Sequence, residues 1–421
     1  MVAISLMSKT NRRLPALRIV VVTTFFPNAA DPHRTPFVKN LVKAMMTGVE
    51  LEVLAPVAIA PAWLSGRRWA RLHDVPEREL FDDIEVQHPK FLVLPKMSWF
   101  SGVGYFLGIW RYLSDRKRRG KPFLVHTHCG YPDSVGVAIA CRLLKLPYVV
   151  TLHGSDINVY AEKTLLRPQI RWALAHASGV VAVSSTLEAK VKTMMQSTVK
   201  RTAYIPCAGF DPALFFVRDQ GSARESLEIE PRRRVVVYVG NVVSIKGVDV
   251  LIKAWATRKA GQENFDDLLV IVGAGERRPA LEAEAANLGL GGSIQFRGAL
   301  PQSDVSRWIA AADVLCLPSR NEGMPNVVVE ALATGVPVVA CRVGGIPELV
   351  EDGVNGLLVE VDRPNDLADA IERALHRVWL RDEIRRSVEN LTWAKLAARN
   401  LEFFRSLPAI PESDVEPNGK H

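Results

Sequence analysis

Two carboxylates, Glu322 and Glu330, stand eight positions apart in the stretch 319–340, SRNEGMPNVVVEALATGVPVVA. Carboxylates accept hydrogen bonds from hydroxyl groups, and a helix start between them would bind an anion. The run GMPN reads as a turn opening a helix, with Pro325 at the first helical position, where its missing N–H costs nothing. The helix is expected to reach about Thr334, with Gly335 as its stop and Pro337 opening the strand PVVA. Glu322 then precedes a helix N-terminus whose free N–H groups and positive dipole end attract negative charge. Glu330 lies about one turn inside. At ~1.5 Å rise per residue plus the short loop, the two lie roughly 10 Å apart. That is the reach of a sugar diphosphate, with hydroxyls at both ends and negative charge in the middle. The competing reading is an ordinary α/β crossover with two solvated glutamates, since acidic residues near helix starts are common.

Other residues could share this chemistry. Lys246 and Gly247 lie between a strand ending at Gly240 and a helix, in YVGNVVSIKGVDVLIKAW. Lys246 is either a solvated lysine or a phosphate lysine, a point charge beside a glycine at a helix start. The segments FLVHTHC and YVVTLHGSD bring His126, His128 and His153 to strand ends, and Asp156 can cap the next helix. The His126–His128 pair lacks an evident third ligand, so no metal site is expected.

The elements around these residues alternate strand and helix. LRIVVVTTFF, a turn-rich PNAADPHRTP and the helical spacing of Phe37, Leu41, Val42 and Met45 open a Rossmann-like unit. The same scheme restarts at RRRVVVYVG and repeats in LLVIVGAGERRPALEAEAANLGL, where Gly273 and Gly275 separate strand from helix. Residues 61–100 read as irregular, and 217–233 as a polar connection. An aromatic, apolar helix begins after Trp99 and ends in Arg116, Lys117, Arg118 and Arg119. It is either a core helix with a solvated basic end or a helix lying in a membrane interface.

Composition narrows the classes. The 421 residues suffice for two domains. No apolar run reaches the ~18 residues of a membrane span, and the start lacks the pattern of a signal peptide. Five scattered cysteines (Cys129, Cys141, Cys207, Cys316 and Cys341) form no CxxC pair, which points to a reducing cytoplasm. Residues 1–215 hold 28 Lys and Arg against 15 Asp and Glu, a net +13, whereas the remainder holds 25 against 30, a net −5. A basic first half is expected to meet something anionic. No nucleic-acid motif is present, which favours an anionic membrane surface, touched through Arg116 to Arg119 by a peripheral cytoplasmic protein.

EGMPNVVVEALATGVPVVA resembles the signature of the retaining nucleotide-sugar glycosyltransferases of family 4, whose motif is Glu, seven residues, Glu. The resemblance covers most of residues 17–407. It implies the GT-B fold, an α/β architecture of two Rossmann-like domains facing each other across a cleft. It also implies that Glu330 takes ribose hydroxyls, while Glu322 and the main chain of Gly323, Met324, Pro325, Asn326 and Val327 hold the donor sugar. Lys246 would contact the diphosphate beside Gly240 and Asn241; the family commonly has arginine at the place of Asn241. Gly273 and Gly275 would lie near the nucleotide, and Arg297 beside its base. TLHGSD resembles the segment whose histidine faces the donor sugar, giving His153 a catalytic role with Glu322 and Lys246. His128 and Asp156 would lie on the acceptor side. The paired glycines common in the first loop are replaced here by Arg34, Thr35 and Pro36. AYIPCAGFD resembles the family's IPNGVD segment, with Cys207 and Ala208 as departures. Neither cofactor nor metal is implied.

The expected organisation is a leader at 1–15, an acceptor domain at 16–215, a nucleotide-sugar domain at 216–390, a tryptophan-bearing helix at 391–407 packing back on the first domain, and a disordered tail at 408–421. The expected activity is sugar transfer to a glycan acceptor, lipid-linked, in envelope or exopolysaccharide synthesis. An epimerase or phosphorylase of the same fold, and a non-catalytic nucleotide-sugar-binding protein, are the alternatives.

Overall fold

The computed structural model describes residues 17–32, 35–61, 72–94, 97–154, 156–196, 201–262 and 265–408. The expected leader at 1–15, Arg34, and residues 409–421 of the expected tail lie outside the described residues. The chain divides into two compact units. One holds residues up to Val181 with Lys190–Ala203 and Asn400 onward; the other holds Ala182–Ala189 and Tyr204–Arg399. Residues 182–189 and 204–215, read from sequence as part of the first domain, thus group with the second unit.

The strands of the N-terminal unit are β1 (Arg18–Val22), β2 (Glu50–Leu54), β3 (Val57–Ile59), β4 (Arg78–Phe81), β5 (Ile84–Gln87), β6 (Lys90–Leu92), β7 (Leu124–His128), β8 (Tyr148–Leu152), β9 (Gly179–Ala182) and β10 (Thr202–Tyr204). Eight form one sheet in the order β10-β9-β8-β7-β1-β2-β5-β4, while β3 and β6 pair separately. β7 and β8 are buried along their whole length, as expected of parallel strands covered on both faces. Within the stretch 61–100, the described residues 72–94 are less irregular than their sequence suggests. β4 and β5 form a hairpin turned by Asp82 and Asp83, both at positive φ (46° and 68°). Such a turn usually announces itself with glycine, and here it does not.

The C-terminal unit contains β11 (Val235–Val239), β12 (Leu268–Val272), β13 (Ile294–Gly298), β14 (Val314–Leu317), β15 (Val338–Cys341) and β16 (Gly356–Val359). They form a parallel sheet in the order β13-β12-β11-β14-β15-β16. Residues 217–233 are part of this unit rather than a loose connection. Asp219 caps a short helix, Gln220–Glu225, and Arg224 from that helix pairs with Asp313 at 2.8 Å. The helix Trp393–Ser406 begins in this unit, where Trp393 donates its N–H to the carbonyl of Phe210, and ends in the other.

Apart from the antiparallel edge hairpin β4-β5, the strand order reverses once in each sheet, between β1 and β7 and between β11 and β14. A reversal parts the loops leaving the carboxyl ends of adjacent strands and opens a crevice there. The loops after β11 and β14 carry Lys246 and Glu322. The strand β7 itself carries His126 and His128.

Candidate functional site

In the C-terminal unit, the switch point brings Lys246 and Glu322 together. Lys246 Nζ donates to Glu322 Oε1 at 2.6 Å, and Ser319 Oγ donates to the same oxygen at 2.7 Å. The Glu322 side chain is 8% exposed and that of Lys246 24%. The loops meet because Gly247 has no side chain. Its φ is +67°, and a Cβ there would stand 2.1 Å from the Pro318 carbonyl oxygen. Only glycine satisfies both conditions.

Arg320 locks the same two loops together. Its guanidinium takes Asp249 through two nitrogens at 3.0 and 2.8 Å, Asp362 at 2.7 Å, and the Ser244 carbonyl. Its main-chain N–H donates to Ile245 at 2.8 Å. A second clasp is formed by Gly344 and Gly345. Gly345 N–H donates to the Gly323 carbonyl at 2.7 Å. A Cβ on Gly344 (φ +55°) would lie 1.9 Å from the Glu322 carbonyl oxygen. The Glu322–Gly323 backbone is therefore gripped from both sides.

The next helix spans Asn326–Ala333. Pro325 is its N-cap rather than its first helical residue, so the helix starts one position later than the sequence suggests, and no side chain caps the end. Its first N–H groups thus keep their positive end unopposed by a side chain. Asn326 Oδ1 is buried and has no partner among the described residues. Gly335 (φ +75°) ends the helix as expected. Glu330 is buried one turn inside, with Gln302 Nε2 at 3.5 Å from Oε1. Burial raises its pKa to about 7, because a carboxylate away from water loses hydration that one long hydrogen bond does not replace.

Main-chain bonds lace the ends of β11, β12 and β13. Gly240 N–H donates to Val272 at 3.0 Å and Gly273 N–H to Gly298 at 2.7 Å. A Cβ on Gly273 would meet the Gly240 oxygen at 1.8 Å, and one on Gly275 the Val242 oxygen at 2.2 Å. The two glycines between strand and helix therefore let these loops pack. Asn241 is exposed, and its carbonyl accepts from Tyr238 Oη at 2.8 Å. Arg297 donates to Gln295 and lies over the Trp308 ring.

In the N-terminal unit, β7 and β8 run in register, with His128 opposite Thr151. His153 comes two residues later, and its Nε2 lies 3.0 Å from His128 Nδ1, the rings stacked 5.2 Å apart. His126 pairs with Thr151 Oγ1 at 2.8 Å. Phe25 and Phe37 pack on the His153 ring. Burial depresses all three imidazoles, His126 and His153 to about 3 and His128 well below its usual value. They are neutral at pH 7, so one proton is shared in the His128–His153 contact and either ring can donate. Asp156 was expected on the acceptor side. It is fully buried, and its carboxylate accepts from the main-chain N–H groups of Gly130, His153 and Gly154 at 3.1, 3.0 and 2.8 Å. It braces the His153 loop. Thr35, where the family commonly has glycine, holds φ +42°. Its Oγ1 is buried with no partner among the described residues.

Among the described residues, no cluster of three or more His, Cys, Asp and Glu could hold a metal ion. The five cysteines are buried and none is in a disulfide. Arg320, Gly344, Gly345 and Gln302 were not singled out by sequence reasoning, because their partners are distant in the chain.

Residues 66–211 match the family model described as Glycosyltransferase Family 4, and residues 233–377 match Glycosyl transferases group 1. A Bacillus subtilis protein named for glycosyl transfer in teichuronic acid biosynthesis is 29% identical over 86% of this chain and 90% of its own length. The alpha-D-kanosaminyltransferase of Streptomyces kanamyceticus is 30% identical over 74% of this chain and 85% of its own. Among solved structures, Anabaena HepE in complex with UDP-glucose superposes with a TM-score of 0.66 at 22% identity, covering 93% of this chain and all of that one.

Proposed function

Because the chain belongs to glycosyltransferase family 4 and has the GT-B fold, we propose that it is a retaining, metal-independent hexosyltransferase taking its sugar from a nucleotide sugar. Membership makes glycosyl transfer, rather than epimerisation or phosphorolysis, its chemistry. The observation that carries the finer reading is the Lys246–Glu322 contact beside an uncapped helix N-terminus.

In this reading the diphosphate takes Lys246 as its counter-charge and lies against the N-terminus at Asn326. Glu322 and the main chain from Gly323 to Val327 accept and donate to the sugar hydroxyls. A hydroxyl donor would also satisfy Asn326 Oδ1, whose burial without a partner costs about 1–3 kcal/mol. Glu330, as a carboxylate, receives the ribose hydroxyls. Gly240, Asn241, Gly273 and Gly275 supply close main-chain approach, and Arg297 lies near the base. His153, held neutral, offers a polar nitrogen to the sugar, with His128 behind it on the acceptor side.

The proposed transfer is a front-face displacement. The bond from the anomeric carbon to the phosphate oxygen breaks as the acceptor oxygen bonds to the same face. The acceptor proton passes to the departing phosphate. Lys246 and the helix end stabilise the charge that develops on the leaving group, which preorganised groups do without reorganisation.

The basic N-terminal half and the relative named for teichuronic acid biosynthesis support an envelope polysaccharide role with a lipid-linked acceptor at an anionic membrane surface. The cluster Arg116 to Arg119 is a proposed contact for that surface, although Arg116 is already tied to Glu52 at 2.6 Å and Arg118 to Asp115. Among the described residues no helix is long and apolar enough to cross a membrane. Incubation with a panel of UDP-, GDP- and ADP-sugars tests the donor reading. Slow hydrolysis of one donor, or its protection against thermal unfolding, is expected; indifference to every donor would remove it.

A further inference from the structure

Three helices of the N-terminal unit, Ser101–Arg118, Asp133–Leu144 and Arg167–His176, share a groove lined by Val103, Val135, Ile139, Pro168, Gln169 and Trp172. Its walls are almost wholly apolar. Large side chains continue it into solvent at helical spacing. Leu107 stands one turn beyond Val103 and is 63% exposed, and Leu143 stands one turn beyond Ile139 and is 62% exposed. Leu165 is 62% exposed just ahead of Pro168, and Trp172 is 38% exposed. The first two helices lie side by side, since a Cβ on Gly102 would meet Val135 and one on Gly136 would meet Tyr105. Leu107 and Leu143 therefore extend one stripe. An apolar surface contributed by three elements is not the scatter of single exposed residues that a soluble face normally shows.

Charge around the stripe is mostly positive, with Glu162 the one exposed acidic residue among the described residues of 97–176. Residues 97–176 hold 11 Lys and Arg against 4 Asp and Glu. Of those four, Asp133 and Asp156 are buried, and Asp115 pairs with Arg118. Arg111 lies one turn beyond Leu107, Arg142 and Lys145 flank Leu143, and Arg167 and Arg171 flank Pro168 and Trp172; Arg111, Arg142, Lys145 and Arg167 are exposed. Exposed leucine and tryptophan within a rim of arginine and lysine is the pattern of a surface that inserts its apolar stripe at a lipid interface and sets its cations among anionic headgroups.

We propose that this three-helix face docks the protein on an anionic phospholipid bilayer, with Leu107, Leu143 and Trp172 inserted and Arg142 and Arg171 at headgroup level. It differs from the basic helix end at Arg116 to Arg119, whose arginines are partly engaged inside the protein. The face would hold a glycosyltransferase beside a lipid-borne acceptor, and in that respect only it rests on the proposed acceptor class.

The test is flotation of the full chain with vesicles of phosphatidylcholine alone and of phosphatidylcholine with phosphatidylglycerol. The wild type is expected to float with the anionic vesicles and not with the neutral ones. Leu107→Ser/Leu143→Ser/Trp172→Ala should lose at least tenfold in partitioning. Arg142→Glu/Arg171→Glu should lose a similar factor, and raised salt should weaken the wild type. Both variants should keep the wild-type melting temperature and nucleotide-sugar protection, which separates failure of docking from failure of the donor reading. Three results would overturn the proposal: no binding by the wild type, equal binding by wild type and triple variant, or equal binding to neutral and anionic vesicles. A concentration-dependent dimer that the triple substitution abolishes, without lipid binding, would instead make the face an interface between copies.

Discussion

Lys246 and Glu322 lie 76 positions apart in sequence and 2.6 Å apart in space, nitrogen to oxygen. In the free protein each neutralises the other. Lys246 keeps two further N–H donors for a diphosphate, which would share the ammonium with Glu322, weaken that contact and leave the carboxylate freer for a sugar hydroxyl. One ion pair thereby links the two halves of the proposed donor. Removing Lys246 leaves Glu322 with Ser319 alone, and an unpaired, largely buried carboxylate is costly. Lys246→Ala is expected to lower stability by about 1–3 kcal/mol, measured by urea unfolding, as well as to weaken donor binding.

The glycine clasps predict a graded mutational series. Gly344→Ala meets both a positive φ and a carbonyl oxygen at 1.9 Å. Gly289→Ala meets only a positive φ, +67°, with nothing within 4 Å. The conformational cost alone is about 1 kcal/mol, so Gly289→Ala should lose about that and keep turnover. Gly344→Ala should lose about 2–4 kcal/mol and at least tenfold in turnover, because the backbone of Glu322 must shift. Equal effects of the two substitutions would separate the clasp from the site.

Glu330 makes donor binding depend on pH. Its pKa is raised to about 7, so the folded protein binds more protons than the unfolded chain between about pH 4.5 and 7. Its contribution to stability therefore falls as pH rises through that window, and Glu330→Gln should be stabilising at pH 8 by about 2–3 kcal/mol and near neutral at pH 4. Donor binding should have the opposite slope, since ribose hydroxyls need the carboxylate. Calorimetry at pH 6 in buffers of different ionisation enthalpy should show proton release on nucleotide binding by the wild type and less by Glu330→Gln.

The histidine cluster predicts the reverse stability trend. His126 and His153 are depressed to about 3 and His128 falls in the same direction. The unfolded chain takes up protons on these groups below about pH 6.5 while the folded protein does not. Their contribution is present above that value and lost progressively towards pH 3. Imidazole resonances of the three should not titrate between pH 5 and 8, and the acid limb of the activity profile should carry no histidine in that range.

The charge missing at Asn241 can be restored. Asn241→Arg adds a guanidinium on the exposed loop after β11, and an added charge–phosphate contact should tighten nucleotide diphosphate binding by about 2- to 10-fold at low salt, less at high salt. Unchanged affinity at both ionic strengths would mean that residue 241 does not reach the diphosphate.

Legibility in the sequence divides along contact distance. The Glu322–Glu330 spacing, the Gly335 stop and the Lys246–Gly247 loop are legible because glycine, proline and short-range spacing encode them. The helix start was displaced by one residue, because Pro325 suits the cap and the first turn almost equally. The Asp82–Asp83 hairpin was hidden because aspartate adopts positive φ without advertising it. Arg320 reads as one more arginine until β11 and β14 become neighbours and bring Asp249 and Ser244 beside it. Gly344 reads as a turn residue until the Glu322 carbonyl stands where its Cβ would be. Asp156 was legible as a capping residue, and the burial that makes it a brace comes from Gly130, 26 positions away.

The most direct measurement is calorimetric titration of UDP, GDP and ADP into the wild type and Lys246→Met. One nucleotide is expected to bind the wild type at a single site, and Lys246→Met should weaken it at least tenfold, about 1.4 kcal/mol, with the fold retained. Binding of equal strength to both proteins, or no binding of any of the three by the wild type, would contradict the assignment of Lys246 and the helix at Asn326 as the donor diphosphate site.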